Sequence, residues 1–319
     1  MTTQTAAPES MIPAAALKKS KRKAKLIKNV YLYILLAPTL LTYLIFKYIP
    51  MYGISIAFQD YSIFKGPFRS DWVGFKHFAY FLQDEKFWQV MRNTLLLNFY
   101  EIVFAFTAPI VFALLANELY SRVFKRVMQT ISYLPHFLSW VVVSGIFYQV
   151  LSPENGLVNV FLGWFGIDPI YFMTEESIFR GILVGAEIWK GVGWSAILYF
   201  ATIASIDSHL YEAAWIDGAG RFRQAFVITI PHMMPLITLL FLLRLASIFG
   251  IDFDRIFLLQ NPLVYEVSDV ISTYVYRVGL QQAQYSLTAA IGFVQSVIGF
   301  VLLLTSNYIS KKIAGYGLY

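Results

Sequence analysis

The chain has 319 residues, of which 58% are hydrophobic, 18% aromatic and only 14% charged. That is too apolar and too weakly charged for an ordinary soluble domain, so it reads as an integral membrane protein. Cysteine is absent, which excludes a disulfide framework, a thiolate metal site and a cysteine nucleophile.

The formal charge of +6 sits mainly in one N-terminal run, Lys18 to Lys28. Its place directly ahead of an apolar segment points to membrane topology rather than to nucleic acid. Residues 1–16 are small, polar and proline-containing, a composition expected to stay disordered. No small-x-small cleavage site follows the next apolar stretch, so residues 1–29 are expected to remain as a basic cytoplasmic anchor.

Segments near the roughly twenty residues needed to cross a bilayer fall at Val30 to Ile49, Thr94 to Ala116, Ile131 to Leu151, Phe179 to Ala204, Met234 to Ile251 and Ser286 to Tyr308. The expectation is an all-α polytopic protein of about six helices, with a membrane domain over residues 30–310 and a short tail over 311–319. Basic residues orient it. Arg122, Lys125, Arg126, Arg221, Arg223, Lys311 and Lys312 join the N-terminal cluster on the inner side, with both termini cytoplasmic. The Ser152 to Ile178 loop has no Lys or Arg and carries Glu154, Asp168, Glu175 and Glu176.

The first outer loop, Met51 to Asn93, is rich in aromatic residues, and Gly74 to Met91 has the spacing of an interfacial helix. A lipid-seated aromatic belt and a role in docking an external binding protein both fit. Pro109 and Pro135 should kink or start helices. Gly181 and Gly185 form a GxxxG pair, which predicts close helix packing.

Between two apolar segments lies EAAWIDGAGRFRQAFVITIP, Glu212 to Pro231. Leu210, Ala213, Ala214, Ile216 and Ala219 recur at helical spacing, and Gly218 and Gly220 weaken that helix. A second short helix should turn Phe222, Phe226, Val227 and Ile230 inward and end near Pro231. The loop is charged, so it must meet water or a partner.

Glu212-Ala213-Ala214, Asp217-Gly218-Ala219 and Ile228-x-Ile230-Pro231 resemble the EAA signature of binding-protein-dependent ABC importer permeases, with Ile230 where Leu is usual. Pro50 to Tyr61, Ser132 to Val142 and Thr273 to Leu280 are similar to the carbohydrate-importer branch, and within it to LplB-type oligosaccharide permeases. The resemblance implies the type I permease fold, with a cytoplasmic coupling loop over residues 206–232 seated in an ATPase cleft. Glu212 would anchor that loop, Gly218 and Gly220 would shape its turn, and Asp217 and Arg221 would orient it. The implied partners are a dimer of ATPase subunits carrying ATP and Mg, a second homologous permease subunit, an extracytoplasmic solute-binding protein and the lipid bilayer of a bacterial cell membrane. The last outer loop, Asp252 to Tyr285, would face the binding protein and the translocation path.

No GxxxxGK[ST] phosphate loop is present, so the chain lacks the usual P-loop ATP site. Gly193-Trp194-Ser195 begins like a nucleophile elbow, but Ile197 stands where the closing glycine belongs. His77, His136, His209 and His232 show no metal-ligand spacing, and no metal or cofactor is expected on this chain. Glu187 and Lys190 share a face of the fourth segment, and Arg244 lies in the fifth; each such charge costs roughly 2.5 to 3.5 kcal/mol at a helix centre. With Glu101 and Gln295, they are either an interhelical ion-pair set, such as Glu187 with Arg244, or contacts for substrate. Trp189, Trp194 and Tyr199 add rings on which sugar faces can stack. Lys190 or Arg244 would then meet an acidic sugar if the substrate is a uronide.

The reading is the translocation subunit of an ATP-driven importer of an oligosaccharide, not itself an enzyme. The alternative is an ion-coupled secondary sugar transporter with Glu187 and Lys190 as its relay.

Overall fold

The computed structural model describes residues 29–250 and 252–314. The Lys18 to Lys28 cluster and residues 315–319 of the tail lie outside them. Contacts divide the chain into a unit ending at Ser55 and a second unit beginning at Ile56.

In the first unit, α1 (Val30–Tyr43) continues through a π turn, Leu44–Tyr48, into a 3-10 stretch that starts at Ile49. Its apolar side chains are exposed, as expected of a helix whose solvent is lipid.

The second unit opens on a two-residue antiparallel ladder, Gln59–Asp60 with Asp71–Trp72. The helices follow: α2 (Lys76–Gln83), α3 (Glu85–Tyr100), α4 (Thr107–Asn117), α5 (Arg122–Tyr133), α6 (Trp140–Val150), α7 (Leu157–Gly163) and α8 (Glu176–Ala204). Then come α9 (Ser208–Ile216), α10 (Arg221–Gln224), α11 (Ile230–Ala246), α12 (Phe253–Leu259), α13 (Tyr265–Ser268), α14 (Ile271–Val275) and α15 (Tyr285–Ala314).

Among the described residues, four helical runs are long and apolar enough to cross a membrane: Val30–Phe58, Glu85–Asn117, Arg221–Ala246 and Tyr285–Lys312. They contain the first, second and sixth expected segments and, as far as Ala246, the fifth. The third expected segment, Ile131 to Leu151, is not one rod. Arg122–Phe137 and Trp140–Val150 meet at 106°. Pro135 lies in a 3-10 turn, Leu134–Phe137, and Ser139 restarts the chain as the N-cap of α6, accepting from the Val142 N–H. The fourth expected segment is α8, 29 residues long but interrupted in its apolarity by Arg180, Glu187 and Lys190.

π turns accompany three of the prolines. The fourth residue before Pro50, Pro109 and Pro231 lies in the π turns Leu44–Tyr48, Glu101–Ala105 and Ala225–Thr229 respectively. A proline cannot donate to that residue's carbonyl, and its ring crowds it. Widening the turn accommodates both faults without ending the helix. This corrects the expected stop at Pro231, since the helical run passes through it to Ala246.

The proposed interfacial helix over Gly74 to Met91 is also broken. Asp84 has an extended backbone and accepts from the Lys86 N–H, so α2 ends and α3 begins there. Phe78, Phe81 and Phe87 turn inward into a core with Ile271, Tyr274, Leu287 and Ile291, while Trp72, Phe75, Tyr80 and Trp88 stay exposed. The Gly181 and Gly185 pair meets nothing within 4 Å of a built Cβ, so it makes no close helix contact among the described residues. The close approach is at Gly193, where a Cβ would lie 2.3 Å from the Ser132 carbonyl oxygen on α5.

Residues 252–285 are likewise not an exposed loop. Helices α12 to α14 fold back inside, burying Ile256, Leu259, Val264 and Val270 against Leu97, Phe179 and Leu183. Asn93 secures this segment, donating to the carbonyls of Glu266 at 2.9 Å and Asp269 at 3.2 Å and accepting from Arg180 at 2.9 Å.

Candidate functional site

Two places carry the chemistry. The first is a four-charge network between α3, α8, α11 and α12. Glu101 stands in the π turn ahead of Pro109, with its side chain 3% exposed. One of its carboxylate oxygens takes Arg244 and the other takes Arg255. Arg255, 1% exposed, also donates to Glu187 at 2.9 Å. The network is neutral, with two carboxylates and two guanidiniums, and each buried charge has an opposite partner, which is the condition for holding ions in a low-dielectric interior. The Nε of Arg255 is buried without a hydrogen-bond partner.

The expected Glu187–Arg244 pair is therefore replaced by a chain running Glu187, Arg255, Glu101, Arg244. Hydropathy had put Arg255 in the outer loop, because one arginine beside Asp252 and Asp254 ends an apolar run. The available signal was Ile256 and Leu259, an apolar stripe three residues apart on the same short helix.

A cavity of about 640 Å³ opens on this network. Glu101, Glu187, Trp194, Tyr199 and Arg244 line it, together with apolar residues of α4, α8 and α11. Trp194 is 44% exposed and stacks one face on His136 at 4.4 Å. Tyr199 is nearly buried, packed with Ala113, Ala196 and Met233.

The remaining residues of the expected path lie elsewhere. Lys190 donates to the His136 carbonyl at 3.0 Å and covers the Trp140 ring at 5.2 Å. That places its positive charge at the C-terminal end of the 3-10 turn, where the 106° bend occurs. Trp189 meets Phe147 edge-on. Gln295 lines a separate cavity of about 520 Å³ between α11 and α15. The five aromatic and charged residues of the expected path on α8 thus divide, Glu187, Trp194 and Tyr199 on the cavity and Trp189 and Lys190 away from it.

The second place is the loop around Glu212. Asp207 caps α9 by accepting from the His209 N–H at 3.0 Å. At the other end the Gly218 N–H reaches the Trp215 carbonyl at 3.0 Å and the Ala219 N–H reaches Ala214 at 2.8 Å, with Gly218 at φ +77°. This is a Schellman stop, in which a left-handed residue lets the chain turn back onto its own orphan carbonyls. Asp217 is its C-cap and Gly220 begins α10. Arg221 ties the turn back to α4, donating to Glu118 at 3.2 Å and lying 4.5 Å over the Tyr120 ring. Glu212 and His209 face each other in the open at 3.4 Å, and Ala213 is exposed while Ala214 and Ala219 are half-buried.

Of the residues expected inward only Ile230 is half-buried, and the rest of the apolar face runs opposite to expectation. Trp215, Ile216, Phe222, Phe226 and Val227 are all more than 60% exposed. Ile228 and Thr229 turn inward instead, because the π turn rotates the run leading to Pro231 by part of a turn. The result is a loop closed by its own backbone hydrogen bonds, with an apolar outer surface.

Residues 105–315 match the family described as binding-protein-dependent transport system inner membrane components. In Bacillus subtilis, Protein LplB is 42% identical over 93% of both chains. The permease protein YteP of the same organism's polygalacturonan/rhamnogalacturonan transport system is 40% identical over 97% of both. A crystal structure of a bacterial ABC transporter involved in importing the acidic polysaccharide alginate contains a chain that is 41% identical. It superposes with a TM-score of 0.86 over 92% of this chain and 99% of that one. The chain belongs to the binding-protein-dependent ABC importer permeases, and its helical fold is theirs.

Proposed function

We propose that this permease passes an acidic oligosaccharide across a bacterial cell membrane, driven by a separate ATPase that seats on the Glu212 to Gly220 loop. The observation that carries the proposal is that loop. It is held rigid by the Schellman turn and the Arg221 tie, yet shows Trp215, Ile216 and Phe222 to the outside. An apolar patch on a polar loop fits a partner cleft better than water. The relatives named for polygalacturonan/rhamnogalacturonan and for alginate support a sugar bearing carboxylates, and a relative's structure in complex with a pentasaccharide-bound periplasmic protein supports delivery by a solute-binding protein.

In this reading both termini are cytoplasmic and a second homologous permease completes the pathway. ATP and Mg are held by the ATPase dimer, whose closure moves the loop and the helices behind it. Family membership weighs against the ion-coupled alternative.

The test is purification from native membranes in a mild detergent. Wild type is expected to retain the ATPase subunits, and a Trp215→Glu, Phe222→Glu variant to lose them while keeping its melting profile, since both side chains are exposed. Transport by wild type in liposomes lacking any ATPase would overturn the proposal.

A further inference from the structure

We propose that Arg244 is the carboxylate receptor of the 640 Å³ cavity, and that Glu101 is the internal carboxylate it exchanges for that of the passing sugar. This rests on the acidic-oligosaccharide reading above. Among the described residues the cavity wall offers a single cation, Arg244. Arg255 is buried behind it, at 1% exposure, and is committed to both Glu101 and Glu187, whereas the Arg244 side chain is 28% exposed and lines the cavity. A guanidinium presents a planar fork of donors that matches a carboxylate in two parallel hydrogen bonds.

What makes the exchange feasible is the way Glu101 is held. Its two oxygens are bound by different arginines, so when Arg244 swings to a substrate carboxylate, Glu101 keeps Arg255 and no buried charge is left unpaired. The converse is costly, because removing Arg255 would strand Glu187 and leave Glu101 dependent on Arg244 alone. Arg244 is the releasable member and Arg255 the fixed one.

The charge count limits how tightly the sugar is held. The network is neutral with two acids and two arginines, and a substrate carboxylate takes it to one net negative charge. Binding is therefore favourable only through the Arg244 fork and the rings of the wall. A site that must be both entered and left needs that balance. In the substrate-free protein Glu101 occupies the receptor, so the arginine is never left bare in the membrane. It also discriminates, since a neutral sugar cannot replace the carboxylate it would have to displace.

The experiment uses the complete importer with its binding protein in proteoliposomes, comparing uptake of tetragalacturonate with that of its methyl ester. Because the binding protein is common to all samples, a changed acid-to-ester ratio belongs to the permease. Arg244→Gln is expected to lower acid uptake about tenfold or more, the scale of a lost charge-assisted hydrogen bond, and to leave ester uptake within about twofold by that same accounting. Glu101→Gln removes the competitor, so half-saturation by the acid should fall while maximal uptake also falls, as release slows.

An unchanged ratio in Arg244→Gln overturns the proposal while leaving acidic-sugar import standing; failure of wild type to take up the acid at all overturns the import reading itself. If Arg244→Gln does not assemble, Arg244→Lys, which keeps the charge and loses the fork, and Glu101→Gln decide. Wild-type ratios in both would overturn the exchange.

Discussion

Arg255→Met is expected to destabilise the protein by about 3 to 5 kcal/mol, the cost of breaking a buried ion pair from one side. The substitution keeps volume and apolar packing but leaves Glu187 without its ion-pair partner and Glu101 with Arg244 alone, at a position where Arg255 is 1% exposed. Thermal unfolding of the purified complex measures it. Adding Glu187→Gln to Arg255→Met should recover a substantial part of the loss, because the stranded charge is gone, and this non-additivity is the mark of one coupled network. A melting temperature equal to wild type in the single variant would mean that the guanidinium does not hold the network together. Arg244→Gln makes a useful contrast. Its removal leaves Glu101 still paired, so its stability cost should be the smaller of the two.

Gly193→Ala is expected to cost about 1 to 3 kcal/mol, the usual range for overpacking, and Gly193→Val more. The obstacle is backbone, not a flexible side-chain tip: a Cβ there would lie 2.3 Å from the Ser132 carbonyl oxygen and 2.4 Å from its carbon. Helices α5 and α8 would have to separate, shifting the neighbouring stack of Trp194 on His136 at the cavity wall. Gly181→Ala is the matched control. It lies on the same helix with nothing within 4 Å of a built Cβ, so it should gain the roughly 0.5 to 1 kcal/mol by which alanine exceeds glycine in a helix. Equal melting shifts for the two variants would show that the α5 to α8 contact is looser than the structure has it.

The chemical consequences of the two places differ. The exposed rings of the loop can be altered without touching the helices behind it. In the cavity any charge change is felt by three others, because Glu101 is shared. Stability and transport therefore separate cleanly only between Arg255, which holds the network, and Arg244, which faces the cavity.

Much was legible from the residues alone. The apolar runs marked the long helices, because a helix in lipid must satisfy its backbone internally and shed polar side chains whatever its neighbours are. The loop was legible too. Asp217-Gly218-Ala219 specifies its own turn, since only a residue tolerant of positive φ can close a Schellman stop, and the charges of the surrounding run forbid burial in lipid. Family membership followed from the same residues.

What the sequence left open was decided by pairing across the fold. Glu187 was read against Arg244; Arg255 reached it because α12 folds back inside, and nothing local to Asp252 and Asp254 foretells that return. Phe222, Phe226 and Val227 were read inward on a regular helical count, but all three are exposed, and Ile228 and Thr229 in the π turn ahead of Pro231 lie inside. Gly181 and Gly185 have the spacing of a packing motif, yet Gly193 makes the contact, because which glycine meets a neighbour depends on where Ser132 lies across from it. Hydropathy and turn chemistry are local properties and a sequence carries them openly. Partners of buried charges, and the face a helix turns inward, depend on long-range packing that only the assembled structure fixes.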